Sequence, residues 1–302
     1  MNAAGSQAAP AAAGRDPATP RFSVVIAAHN EAPVIGRTLR TLLAGAEPGS
    51  LDITVVANGC TDQTARVAAA VPGVRVVELA AASKPAALNA GDRAAIGFPR
   101  VYLDADIQIT AADLGRVVAA LDSYAAAVPA RRLELAGRPL AVRGYYAIHA
   151  RLPVFATGLF GRGVIAVSEV GRARFGKFPD VVADDLFLDA QFADSEKRVV
   201  SEVSSVVATP RRTRDLVRRL ARVRAGNAAL RARAASAPAT SGPAPRAAAR
   251  LSWLRDVVLP RPWLAPAAVC YVAITLTAAL LARRYRRAPA WGRDESTRTA
   301  AR

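Results

Sequence analysis

The chain has 302 residues, with 41 lysines and arginines against 24 aspartates and glutamates, a net charge of +17. That length can bury a full core, and the two cysteines, Cys60 and Cys270, are too few and too far apart for a disulfide framework or a zinc site. The charge would suggest nucleic acid until it is located: residues 1–210 carry 21 basic and 20 acidic side chains, whereas residues 211–302 carry 20 and 4.

Residues 1–20 are rich in Ala, Gly and Pro and lack the charged start and aliphatic run of a secretory signal, which predicts a disordered tail. Phe22–Ala28 is a continuous apolar run, the pattern of a strand buried on both faces. The polar segment His29-Asn30-Glu31 follows. A helix is then predicted with Val34, Ile35, Leu39, Leu42 and Leu43 on one face and Pro33 in its first turn. Asp52–Ala57 is a second strand, Asn58–Asp62 a turn, and Thr61 or Asp62 can cap a helix running to Ala70. Val74–Leu79 is a third strand, and residues 84–97 form a helix that Gly91 and Gly97 weaken. The fourth strand, Val101–Asp106, ends in two carboxylates, and Thr110 caps a helix over Ala111–Ser123.

Strand and helix alternating at this spacing predict right-handed crossovers and a mainly parallel α/β sheet flanked by helices. Ligands of such sheets sit outside the carboxyl ends of the strands. Segments 29–31, 58–62 and 104–106 all fall there, so they would line one crevice. Within it, Asp104 and Asp106 lie two apart in an extended backbone and would share a face. Two convergent carboxylates suit Mg²⁺ or Mn²⁺, with phosphate oxygens and water completing the shell.

Four of these stretches carry a resemblance: Ile26–Glu31, Val55–Thr64, Lys84–Gly91 and Tyr102–Asp106, in this order and at these separations. They resemble family 2 glycosyltransferases of the GT-A fold, and the likeness spans roughly residues 22–227. By that resemblance the first half binds a sugar nucleotide of the UDP, GDP or dTDP type. Glu31 and Asn58 match the nucleobase and ribose pocket, with Asp62 on the same donor-binding turn. Lys84 and Asn89 match the loop and helix start that close over the nucleotide. Asp106 matches the direct metal ligand, and Asp104, also of the metal motif, lies nearer the ribose. One departure is Ala57-Asn58 where the family carries adjacent aspartates, so Asn58 brings hydrogen bonds but no charge.

In residues 124–183 the expected elements are an amphipathic helix over Tyr145–Leu152, a glycine-rich turn at Gly158–Gly163 and a strand at Val164–Val167. Asp184-Asp185 then opens a helix. A glycosyl transfer needs a base for the acceptor proton, and a buried carboxylate beside another acid has its pKa raised toward the working range. The pair resembles the family's Glu-Asp, whose second member is the base, so the resemblance gives that role to Asp185 and sets Asp184 beside it. Val199–Val207 is a strand. Between Arg211 and Arg224 lie seven arginines, with Leu216, Leu220 and Val223 at helical spacing. Arg222 and Arg224 resemble the family's basic motif for the departing diphosphate, though without its Arg-Trp ending.

Residues 232–261 read as a basic Ala/Pro linker, 262–282 as an uncharged helix of bilayer length, and 283–302 as a basic tail. The catalytic domain is then 21–231, split into a nucleotide half, 21–123, and an acceptor half, 124–231. A sugar nucleotide is a cytoplasmic donor, so the expectation is a membrane-associated enzyme, inverting as the resemblance implies, facing the cytoplasm and acting on a lipid-linked or cell-envelope glycan. A sugar-nucleotide nucleotidyltransferase is a rival, but it would carry a Gly-rich basic loop where Ala27–Glu31 stands. A non-catalytic membrane or nucleic-acid binding module is another. The arginines of 211–250 lack the interleaved aromatics of a base-stacking surface, so no nucleic acid is expected.

Overall fold

The computed structural model describes residues 21–181, 183–236 and 251–285. The N-terminal tail, residues 237–250 of the linker and the basic tail beyond 285 lie outside the described residues. The first half alternates as its sequence predicts: β1 Phe22–Ala28, α1 Ala32–Leu43, β2 Leu51–Asn58, α2 Thr64–Ala69, β3 Val74–Leu79, α3 Lys84–Ala94, β4 Arg100–Leu103 and α4 Ala111–Ala119. The second half follows with β5 Ala126–Glu134, α5 Leu140–His149, α6 Val154–Thr157, β6 Val164–Val167, α7 Glu169–Arg172, α8 Asp184–Ala190, β7 Lys197–Ala208, α9 Thr213–Ser236 and α10 Ala265–Tyr285.

All seven strands form one sheet in the order β3-β2-β1-β4-β6-β5-β7. β6 runs antiparallel to both of its neighbours, and the remaining pairs are parallel. β1 explains why the sheet is a core: Val24, Val25 and Ile26 are all fully buried. The apolar stripe of α1, Val34, Ile35, Leu39 and Leu42, closes one face. On the other, α3 lies so close to β1 that a Cβ on Gly91 would stand 2.3 Å from Val25 Cγ1. Gly91, expected to weaken this helix, is thus what lets it seat.

β5 carries no strong strand signal, because its buried end is Ala126, Ala127 and Val128 and Pro129 interrupts it. The parallel ladder to β7 shifts register between Pro129 and Ala130, where proline offers no N–H.

Asp92, on α3, ties three elements together. Its carboxylate accepts from Arg100 Nη1 at 2.8 Å, Tyr102 Oη at 2.9 Å and Arg172 Nε at 2.9 Å. With Asp92 and Arg100 both nearly solvent-free, Asp92→Ala strands two guanidinium charges. It is expected to lower unfolding free energy by about 3 kcal/mol in urea titration, with an unchanged m-value.

The C-terminal stretch differs from a linker followed by a free helix. α9 continues to Ser236, and Trp253–Val258 forms a π-helix in which Leu254, Val257 and Val258 pack beside Ile148. α10 lies along α5 and α9, with Tyr271 stacked on Tyr145 at 5.3 Å and Cys270 against Gly144. Its other face leaves Val269, Leu276 and Leu280 exposed, with Trp263 just before it.

Candidate active site

A crevice of 300 Å³ opens at the carboxyl ends of β1 and β4. It is lined by Glu31, Lys84, Asp104, Asp106, Asp184, Asp185 and Arg222 among the residues singled out from the sequence. β4 ends at Leu103, so Asp104 and Asp106 stand on a turn closed by Ile107 N–H donating to the Asp104 carbonyl at 3.2 Å, not on an extended strand. The turn is held from across the sheet, where Asp104 N–H donates to the Gly163 carbonyl at 2.8 Å. Gly163 has φ +70°, and a Cβ there would lie 2.4 Å from Ile107 Cγ1, so the glycine-rich loop supports the acidic turn directly.

The metal-type carboxylates and the acidic pair meet through Lys84. Its ammonium donates to Asp104 Oδ1 and is ion-paired with Asp184 Oδ2, each at 2.9 Å. Burial alone would lower the Lys84 pKa, but the two aspartates outweigh it and hold it well above its ordinary value. Asp185 is held by two backbone donors, Gly161 N–H at 3.1 Å and Leu186 N–H at 2.8 Å. Burial, then the charge of Asp184, push its pKa up to about 6, against the opposing pull of Lys84 and the Gly161 N–H. Arg162 fixes the loop that brings Gly161: its buried guanidinium donates to the carbonyls of Gly158, Pro129 and Phe155. Chemically, this is a carboxyl group with a raised pKa in one crevice with the hard oxygen atoms of Asp104 and Asp106.

Residues 23–158 match the family model for glycosyl transferase family 2. The domain over that stretch belongs to that family. Among solved structures, a mannosyltransferase from Pyrobaculum calidifontis, in complex with GDP-Man and Mn²⁺, is 24% identical with a TM-score of 0.54, over 90% of this chain and 81% of that one. Glucosyl-3-phosphoglycerate synthase from Mycobacterium tuberculosis, in complex with Mn²⁺, UDP-glucose and phosphoglyceric acid, is 19% identical with a TM-score of 0.53, over 72% of this chain and 81% of that one. At these identities the likeness is one of fold. No curated protein matches the chain.

The other residues singled out from the sequence of this glycosyltransferase sit behind the crevice. Asn58 is fully buried: its amide donates to the Ala28 carbonyl at 2.8 Å and its Oδ1 accepts from Ser83 N–H at 3.1 Å. An aspartate could not make the first of these bonds, which accounts for the departure at this position. Asp62 accepts from the N–H groups of Thr64 and Ala32, joining the β1–α1 and β2–α2 loops. Asn89 exchanges two hydrogen bonds with the backbone of Phe178. The two arginines part: Arg222 lines the crevice, whereas Arg224, two residues on along α9, lines a second cavity. Arg219 joins Arg222 in the crevice; the signal was its spacing of three, one helical turn back. His29 also lines it and hydrogen-bonds through Nδ1 to the Asn58 carbonyl at 2.7 Å.

Proposed function

We propose that this enzyme transfers a sugar, with inversion, from a nucleoside-diphosphate donor to a hydroxyl of a lipid-linked or cell-envelope glycan. The observation that carries the reading is the Asp104–Lys84–Asp184 bridge, which brings metal-type carboxylates and an acidic pair into one crevice. Asp185 takes the proton of the acceptor hydroxyl as its oxygen bonds to the anomeric carbon. The bond from that carbon to the diphosphate breaks, and the leaving group carries off the electron pair. Arg219 and Arg222 meet its growing charge.

Asp106 and Asp104 fit Mg²⁺ or Mn²⁺ by their chemistry. They are hard oxygen donors, and among the described residues no group of three His, Cys, Asp or Glu forms a complete protein cage. That suits an ion sharing its shell with phosphate oxygens. Bound there, the ion would neutralise charge on the diphosphate. The Mn²⁺ complexes of both structural neighbours, with GDP-Man and UDP-glucose, support the same cofactor and donor class. Glu31 and His29 line the β1 end of the crevice, where the nucleoside would meet them.

Membrane association rests on α10. Its exposed Val269, Leu276 and Leu280 with Trp263 form an apolar face, and Arg255, Arg261 and Arg283 flank it. The span Pro262–Arg283 has a mean hydropathy of 2.1, enough by length and composition to cross a bilayer. Its opposite face is packed on α5 and the arginine-rich α9, however, and crossing would carry those arginines into hydrocarbon. Lying in the interface, with the catalytic crevice on the cytoplasmic side, satisfies both faces.

Calorimetric titration with UDP, GDP and dTDP, with and without Mn²⁺, tests the donor site. One diphosphate is expected to bind in a metal-dependent manner, and Asp106→Asn is expected to abolish that dependence. Metal-independent binding of all three alike would refute the reading.

A further inference from the structure

A second cavity, of 950 Å³, lies between α5, α6, α8, α9 and α10. It meets the donor crevice at Asp185, which lines both. If Asp185 is the base, as proposed above, the acceptor hydroxyl must reach it from the side away from the donor diphosphate. The second cavity is that side. Its composition therefore describes the acceptor.

Its walls are aromatic and its field is positive. His149 is stacked on Tyr145 at 5.1 Å and lies 4.8 Å from the Phe155 ring, and Tyr271 of α10 continues the stack. Arg224 lines it, Arg219 stands close by on α9 in the adjoining crevice, and Arg131 lies behind the wall, its guanidinium 4.0 Å from the centre of the Phe155 ring. Among the described residues none of these three arginines is ion-paired with a carboxylate; Arg219 donates instead to the Ala208 carbonyl at 3.4 Å. Lys197, one of the other cations lining the cavity with Arg231 and Arg283, is neutralised by Asp189 and Asp194, each at 2.9 Å. Burial and the charges of Arg131, Arg219 and Arg224 hold the His149 imidazole down at about 3, so it is neutral at any working pH. Its Nδ1 is buried without a hydrogen-bond partner. A desolvated polar atom and unpaired cations beside an aromatic wall are costly unless a ligand completes them.

We infer that this cavity is an acceptor subsite for a phosphate-bearing molecule, its anion on Arg224, within the field of Arg131 behind Phe155, and its less polar part against Tyr145, Phe155 and Tyr271. The phosphate is the handle, and the hydroxyl that attacks is a separate group reaching Asp185. A guanidinium cluster is the natural partner of a phosphate. The anion could come from a soluble phosphate ester or from a lipid headgroup delivered beneath α10, and the chemistry of the site is the same for both.

Three probes separate these sources in calorimetric titration of the full chain saturated with its nucleoside diphosphate and Mn²⁺: glycerol 3-phosphate, 1-octanoylglycerol, and 1-octanoylglycerol 3-phosphate. The phosphorylated lipid is expected to bind at least tenfold more tightly than the neutral one. Arg224→Gln and Arg131→Gln are each expected to weaken it about tenfold, and raising the salt concentration to weaken it further. Glycerol 3-phosphate binding as tightly as the phosphorylated lipid assigns the site to a soluble ester; clearly weaker binding assigns it to a lipid. Equal binding of the neutral and phosphorylated lipids, no binding of any probe, or indifference to both substitutions would overturn the inference. Persistence of metal-dependent diphosphate binding in that event leaves the donor reading intact, and its loss removes both.

Discussion

Asp185→Asn is expected to reduce kcat about 1,000-fold while the enzyme still binds its nucleoside diphosphate and metal. General-base assistance is worth about 10² to 10⁴ in rate, and about 1,000-fold is the middle of that range. The asparagine keeps the size of the side chain and one of the two backbone hydrogen bonds that now come from Gly161 and Leu186. The loss is therefore chemical in origin, and release of nucleoside diphosphate under saturating donor measures it. A tenfold effect or less would remove Asp185 from the chemical step.

The wild-type pH profile follows from the same carboxylate. Its pKa is pushed up to about 6, and the base works when ionised, so kcat/KM is expected to fall with unit slope as pH drops below about 6. The stability consequence runs the other way. A carboxyl whose pKa is raised on folding is a cost when ionised, so this group destabilises the fold above about pH 6. The cost is relieved as pH falls toward the ordinary value of about 3.9. Activity and stability thus have opposite slopes between those limits.

The first half of the fold was legible because buried parallel strands leave continuous apolar runs and their helices leave a 3.6-residue stripe; Phe22–Ala28 and the α1 face needed nothing more. β5 was not legible, since an alanine-rich strand with Pro129 in its middle has neither signature and is stabilised by pairing with β6 and β7. At the site, Asp104, Asp106 and Asp185 line the crevice, but residue type could not separate crevice-lining polar residues from scaffold ones. Asn58 and Asn89 look identical in sequence to hydrogen-bonding site residues, and each spends its amide on backbone at 2.8–3.1 Å. The divergence of Arg222 and Arg224 is a matter of helical phase, about 200° for two residues, and the phase was readable from Leu216, Leu220 and Val223. Leu216 is buried while Val223 is exposed, so the expected single apolar face does not persist to the end of that stripe. The packing of α10 on α5 was invisible for another reason: an all-apolar helix has no patterned face to show which side meets protein.

Lys84→Met tests whether the metal-type carboxylates and the acidic pair act as one electrostatic unit. Removing the ammonium leaves Asp104 and Asp184 without the cation that now sits 2.9 Å from each. Breaking a buried pair costs about 3–5 kcal/mol. Here the Asp104 side chain is 45% exposed and the Lys84 side chain 24%, so solvent screening discounts the figure to about 2 kcal/mol of stability. The same substitution also removes a charge that lowers the Asp185 pKa. The acid limb of the kcat/KM profile is therefore expected to move upward from about 6, with a larger activity deficit at pH 6.5 than at pH 8.5. A purely structural role for Lys84 would depress the whole profile and leave its limb in place. A shifted limb instead means that Lys84 sets the proton affinity of the base as well as the geometry of the donor site.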